Sequence, residues 1–171
     1  MIGRTGIPDM GIRTFRDNEL ITGISILAVL SYTKKLELSK CMLIEPLLSY
    51  SNVIKGLKRT NSSIKSIEDL ILKENVVFSD FNSRYREKML LSINSMLLFD
   101  QLGLISLSGD LAIYTGECFD LHLSNLGEKA SDRIKAAKKL SEILLKGEAS
   151  DFYLGLRIGL CDFILISCFY G

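Results

Sequence analysis

A chain of 171 residues is long enough for one domain with a sizeable core and too short for two enzyme-sized units. Lysine and arginine total 21 against 20 aspartates and glutamates, so no global field draws the chain to nucleic acid or an anionic membrane, and only local patches could. Apolar residues make up 47% and mean hydropathy is +0.24. Either a partner covers part of a greasy surface, or a Leu/Ile-rich helical core absorbs it.

The longest apolar run, Ile158 to Tyr170, contains Asp162 and falls short of the roughly 20 residues that span a bilayer. The opening MIGRTGIPDMG lacks the apolar centre of a secretory signal. Cytoplasmic residence without membrane contact is therefore expected. Cys41, Cys118, Cys161 and Cys168 form no C-x-x-C pair, and His122 is the sole histidine. Buried free thiols are expected, with no metal site and no cofactor.

In chain order, residues 1–16 hold Gly3, Gly6, Gly11, one proline and three arginines without apolar periodicity, which predicts a flexible arm. A single mostly helical domain is expected over 17–160. Asp17 is a suitable cap for a helix in which Leu20 to Tyr32 are apolar nearly all round, the pattern of a buried central helix. A second helical run starts near Ser39 and continues towards Leu57, with a kink or break expected at Pro46, which has no amide hydrogen. The polar stretch KRTNSSIKS follows, and Ser66 with Asp69 predicts a capped short helix through Lys73.

The clearest periodicity lies between Asn82 and Leu102, where Tyr85, Met89, Leu90, Ile93, Met96 and Leu97 predict one apolar face. Leu97 is expected in the core on this basis, and Asn94 either holds the neighbouring turn or faces solvent. Gly103 ends the helix, and Leu104–Leu107 and Leu111–Tyr114 flank Ser108-Gly109-Asp110 as two short strands around a tight turn. Residues 128–146 return to helical spacing, with Ala130, Ile134, Ala137 and Leu140 or Leu144 on one side, lysines on the other, and Gly147 as the stop. Ser150 can cap a last helix through Leu156, and 161–171 form an apolar tail. The fold class expected is mainly α with a small β-hairpin, α+β, with a winged-helix-like helix and hairpin.

Catalytic machinery is hard to assemble from these residues. A nucleophile triad would have to use His122, set between Leu121 and Leu123. No G-x-x-x-x-G-K-[ST] or G-x-G-x-x-G segment provides a phosphate cradle. Glu68 and Asp69 suit the first turn of a helix, where they complement its dipole, and Glu117, Asp120 and Glu128 lack metal-ligand spacing. No catalytic residue is assigned, and the chain is expected not to be an enzyme.

The segment FSDFNSRYREKML is the most unusual. Phe81, Asn82, Arg84, Tyr85, Arg86 and Lys88 crowd aromatic and basic groups at a helix start, where positive charge opposes the dipole. Contact with acidic groups on a partner or with phosphates is one reading; core placement of Phe81 and Tyr85 with solvated basic residues is the other. A winged helix that reads DNA needs cations on its recognition helix and wing, whereas this wing tip carries Asp110. Lys135, Lys138, Lys139 and Lys146 nevertheless make a possible DNA-facing row, with solvated helix lysines the alternative.

The segments IRTFRDNEL, LIEPLLS, FNSRY with INSMLLFDQLGLI, and AAKKLSEILLKGEASDFYLGLRIGL are together similar to the middle component of bacterial three-component ABC ATPase systems, among them Lamassu-type anti-phage defence. The likeness covers most of residues 12–160, and the tail from Cys161 departs from the family pattern. It implies a small adaptor subunit between an SMC-like ABC ATPase and an effector, such as a nuclease, that stays inactive until foreign DNA is sensed. DNA would be met through the complex. The partner interface expected comprises Phe81, Asn82, Arg84, Tyr85 and Arg86, from the aromatic and basic crowding, with Phe163, Ile164, Ile166 and Phe169 of the tail, from its apolar character.

Overall fold

The computed structural model describes residues 19–59, 63–117 and 127–159. The arm over 1–16, Asp17, His122, Cys118, Cys161, Cys168 and the tail from 161 lie outside them. The described residues contain seven α-helices and three short strands. In chain order these are α1 (Glu19–Thr33), β1 (Lys35–Glu37), α2 (Leu38–Leu48), α3 (Ser51–Leu57), α4 (Ile67–Lys73), α5 (Phe81–Gln101), β2 (Ile105–Ser108), β3 (Leu111–Tyr114), α6 (Gly127–Leu144) and α7 (Ala149–Gly155), with one 3-10 turn at Val77–Asp80. The fold is mainly helical with a small antiparallel sheet, α+β.

α1 is the central helix. Residues Thr22 to Leu30 are all buried, so no stripe of it faces water, because α5, α6 and α2 pack round it. Each fully buried leucine or isoleucine contributes roughly 1.5–3 kcal/mol. Gly23 admits α5 at close range, since the ring of Phe99 occupies the space a Cβ would fill.

α1 ends by reversing sharply at Lys34, whose φ of 65° is left-handed. Its amide returns to Leu30 O at 2.8 Å, and its carbonyl accepts from Tyr114 N at 2.8 Å. The turn aims β1 along β3, giving the order β1-β3-β2 with Leu36 opposite Ala112 and Ile105 opposite Tyr114. Leu36, Ile105 and Ala112 are buried and form the sheet's core face. The hairpin is the expected one, turning at Gly109 with φ 58°. The third strand is a finding: KLE is too short to show alternation and is defined by its partner.

Pro46 sits inside α2, not at a break. It cannot return an N–H to the carbonyl of Met42, and the helix ends only two residues later. Ser49 Oγ donates to Pro46 O at 2.7 Å before the chain turns into α3. α4 has the expected cap: Ser66 Oγ accepts from Asp69 N at 3.3 Å, and Asp69 Oδ2 accepts from Lys65 N at 2.9 Å. In α7 the N-cap is Glu148, so Ser150 lies inside the helix. Gly147 follows the end of α6 and leaves room for the ring of Phe152.

The buried side of α5 is Phe81, Tyr85, Ser92, Ser95, Met96 and Phe99. Leu90 and Leu97, expected in the core, are 66% and 43% exposed. The aromatic rings at 81, 85 and 99 set the inward face and rotate both leucines outward. Asn94 is exposed. It is Asp100 that secures the hairpin, its Oδ1 accepting from Leu107 N at 2.9 Å.

Gly23→Ala should force Phe99 off its site and cost about 1–3 kcal/mol. Thermal denaturation followed by circular dichroism should show a lower Tm, partly regained by combining Gly23→Ala with Phe99→Leu. An unchanged Tm for Gly23→Ala would refute the close approach of α1 and α5.

Candidate functional site

The aromatic and basic cluster at the start of α5 is largely satisfied within the chain. Tyr50, Phe78 and Phe81 pack with ring centroids 5.8, 6.2 and 5.5 Å apart. Tyr85 meets Tyr153 edge-on, their hydroxyls 3.0 Å apart, and Tyr153 Oη donates to Ser39 O at 2.9 Å. Phe81 and Tyr85 are wholly buried, so their rings belong to this chain's own core and are not on its surface. The guanidinium of Arg84 lies 4.4 Å above the Tyr50 ring and 3.6 Å from Asp80, which also accepts from Tyr50 Oη at 3.0 Å. Asn82 is half-buried and Arg86 is exposed. Asn82 Oδ1 and Arg84 Nε are buried without a hydrogen-bond partner among the described residues, a local cost of about 1–3 kcal/mol each. The tail residues Phe163, Ile164, Ile166 and Phe169 fall outside the described residues.

The outer side of α5 runs through Ser83, Arg86, Glu87, Leu90, Asn94, Leu97 and Gln101, all exposed. Leu102, next in the chain, is 57% exposed. Lys135 and Lys138 of α6 and Lys146 just beyond its end are exposed, and Lys139 of α6 is half-exposed. Lys139 Nζ pairs with Glu142 at 3.0 Å, and Lys146 Nζ donates to Lys65 O at 3.3 Å. The Lys139 hydrogen bond holds the Glu142 carboxyl below its usual range.

One feature escaped the sequence pattern. Arg133 of α6 and Glu45 of α2 form a buried, two-pronged ion pair: Nη1 to Oε2 at 2.5 Å and Nη2 to Oε1 at 3.2 Å. Glu45 is 0% and Arg133 7% exposed. Thr22 Oγ1 of α1 adds a donor to Glu45 Oε2 at 3.0 Å, and Ser25 Oγ lies 3.5 Å from Arg133. Two signals could have found it. Glu45 is the only charge in the apolar run LIEPLL, and Arg133 fits the 3-4 spacing of Ala130, Ala137, Leu140 and Leu144 better than the partly buried Ile134 does.

Beside this pair opens a cleft of about 600 Å³. Its apolar lining is Ile21 of α1, Leu48 of α2 and Ile54 of α3. Around them stand Lys55 of α3, Arg84 and Lys88 of α5, and Lys129 and Arg133 of α6, against one acid, Asp132. The carboxylate of Asp132 already accepts from Lys58 Nζ at 2.7 and 2.8 Å. Among the described residues no group of three or more His, Cys, Asp or Glu could hold a metal ion, and no helix is long and apolar enough to cross a membrane.

Removing one member of the ion pair should strand a buried charge and cost about 3–5 kcal/mol. Urea denaturation of Glu45→Leu and Arg133→Met should show this, with the double variant more stable than either single one. Additive losses would mean that the two groups do not interact.

Stability should also fall in alkali. Burial pushes the Cys41 thiol up to about 12, with Glu37 adding to the shift. Burial, then the hydrogen bond to Asp80, pushes the Tyr50 hydroxyl up to about 12. The folded state holds both protons more tightly than the unfolded chain. Their contribution is full below the ordinary thiol and phenol values of roughly 9 and 10 and is lost as pH rises towards 12. Urea midpoints at pH 8 and 10.5 should differ, and Tyr50→Phe should reduce the difference.

Comparison with protein-family models, curated proteins and solved structures finds no match to this chain.

Proposed function

We propose that the chain is a non-enzymatic adaptor subunit of an anti-phage defence complex. It bridges an SMC-like ABC ATPase and a nuclease-type effector and helps to keep the effector inactive until foreign DNA is sensed. The sequence similarity over residues 12–160 motivates the partners. The structural observation that carries the reading is the outer side of α5, where Leu90 and Leu97 lie 66% and 43% exposed on the longest described helix. They are seven residues apart, two helical turns along one stripe. An apolar stripe flanked by polar side chains is the chemistry of a protein contact.

A second reading has a specific observation behind it. The order helix, strand, helix, then helix and hairpin, with β1 pairing to β3, is the outline of a winged helix, with α5 in the position of the recognition helix. Phosphate contact supplies much of the affinity of such modules and requires cations. The outer side of α5 offers Arg86 beside Glu87, and the wing tip carries Asp110. This chemistry favours a protein partner over DNA on that face.

Co-expression with an SMC-like ABC ATPase from the same organism, followed by size exclusion at micromolar concentration, should give one complex. Leu90→Asp with Leu97→Asp should abolish that complex and leave the circular dichroism spectrum of the free chain unchanged, because exposed substitutions cost within about 0.5 kcal/mol. Separate elution of the unmodified proteins sinks the adaptor reading. Steeply salt-dependent duplex binding by the isolated chain, lost in the same double variant, would favour the winged-helix alternative.

A further inference from the structure

The geometry points to a ligand site in the cleft between α1, α3, α5 and α6: it binds an organic polyphosphate of nucleotide size, phosphates against the basic rim and the organic body on the apolar floor. This inference is independent of the adaptor reading.

Size comes first. A cleft of about 600 Å³ falls within the roughly 300–1,000 Å³ of small-molecule sites, and its combination of apolar floor and few charged groups is typical of them. Charge comes second. Five basic side chains from three helices line it; Glu45 meets Arg133 and Asp80 meets Arg84, and the basic side chains still outnumber these carboxylates, in a chain whose formal charge is only +1. Asp132 is already engaged by Lys58, so it does little to offset them. The positive charge left on one concavity after these pairings costs mutual repulsion, and a low-dielectric wall increases that cost. A lone carboxylate would match one or two of them. A multiply charged anion can match several, and phosphate is the common group that takes both arginine and lysine.

Rigidity comes third. Arg133 is clamped by Glu45, and Arg84 is stacked on Tyr50. Little side-chain freedom remains for either to lose on binding. Lys55 and Lys129 are exposed at the rim, on α3 and α6, and can swing onto the ligand. Ile21, Leu48 and Ile54 offer a surface for a base or other apolar body. Binding here uses side chains, which is why no glycine-rich phosphate loop is required.

Isothermal titration of the full chain with magnesium-free ATP at 0.15 M salt should give a Kd of about 10–100 μM. Lys55→Glu with Lys129→Glu reverses two rim charges and should weaken binding at least about tenfold. Both side chains are exposed, so the circular dichroism melt should be unchanged. Lys138→Glu with Lys146→Glu makes the same change in net charge outside the cleft and should leave affinity within about twofold, since such charges are screened over roughly 8 Å at this salt. Inorganic pyrophosphate should bind more weakly than ATP. Equal binding of pyrophosphate would overturn the role of the apolar floor. No heat with 1 mM ATP, or equal losses in both double variants, would overturn the site. A short DNA duplex that binds more tightly than ATP and depends on Lys55 and Lys129 would reassign the cleft to nucleic acid.

Discussion

The arrangement of the helices turns on the ion pair between Glu45 and Arg133. Each charge alone would lose several kcal/mol of hydration in the interior. Together they form parallel charge-assisted hydrogen bonds, and Thr22 supplies a further donor. This geometry ties α2 to α6 across α1 and fixes their register in a way that apolar packing, tolerant of sliding, does not. A carboxylate and a guanidinium have one good mutual arrangement; leucines have many.

The position of α6 decides what the surface offers. Arg133 places Lys129 and Asp132, one turn or less away, along the rim of the cleft. α5 supplies the facing wall and divides its circumference three ways. At about 100° per residue, Arg84 and Lys88 lie to one side of the buried stripe, and Leu90 and Leu97 lie roughly opposite them. One helix thus contributes to the core, to a basic concavity and to an apolar outer stripe without those surfaces overlapping. A protein partner on the leucines and a phosphate ligand in the cleft could be held at once. Because α5 is packed along its length through Phe81, Tyr85, Met96 and Phe99, a push on either surface meets the same rigid element.

Burial of Phe81 and Tyr85 also recasts the aromatic-rich start of α5. Composition alone allowed either a surface reaching outward or a core position for Phe81 and Tyr85, and for these two rings the core position holds. The rings face inward because Tyr50, Phe78 and Tyr153 complete edge and stacked contacts with them. Arg84 is absorbed by the same cluster through its stacking on Tyr50 and its pairing with Asp80. The apolar side chains that α5 does expose are leucines that periodicity alone assigns to the core.

Local sequence determined most of the elements. The unbroken apolar run of α1, the Ser66–Asp69 cap of α4, the length of α5 and the Ser108–Asp110 turn are each written in neighbouring residues, because caps, turns and helix periods depend on side chains within one or two turns. Three features depended on partners distant in the chain. β1 exists only where β3 can pair with it. The inward face of α5 is chosen by whichever side places its aromatic rings in the aromatic pockets, and a seven-residue spacing of leucines fits either side. Glu45 and Arg133, 88 residues apart, each look like an isolated charge until the fold brings them within hydrogen-bonding distance. The cleft beside them has no linear signature at all, since its walls come from five helices and only tertiary packing sets the distance between them.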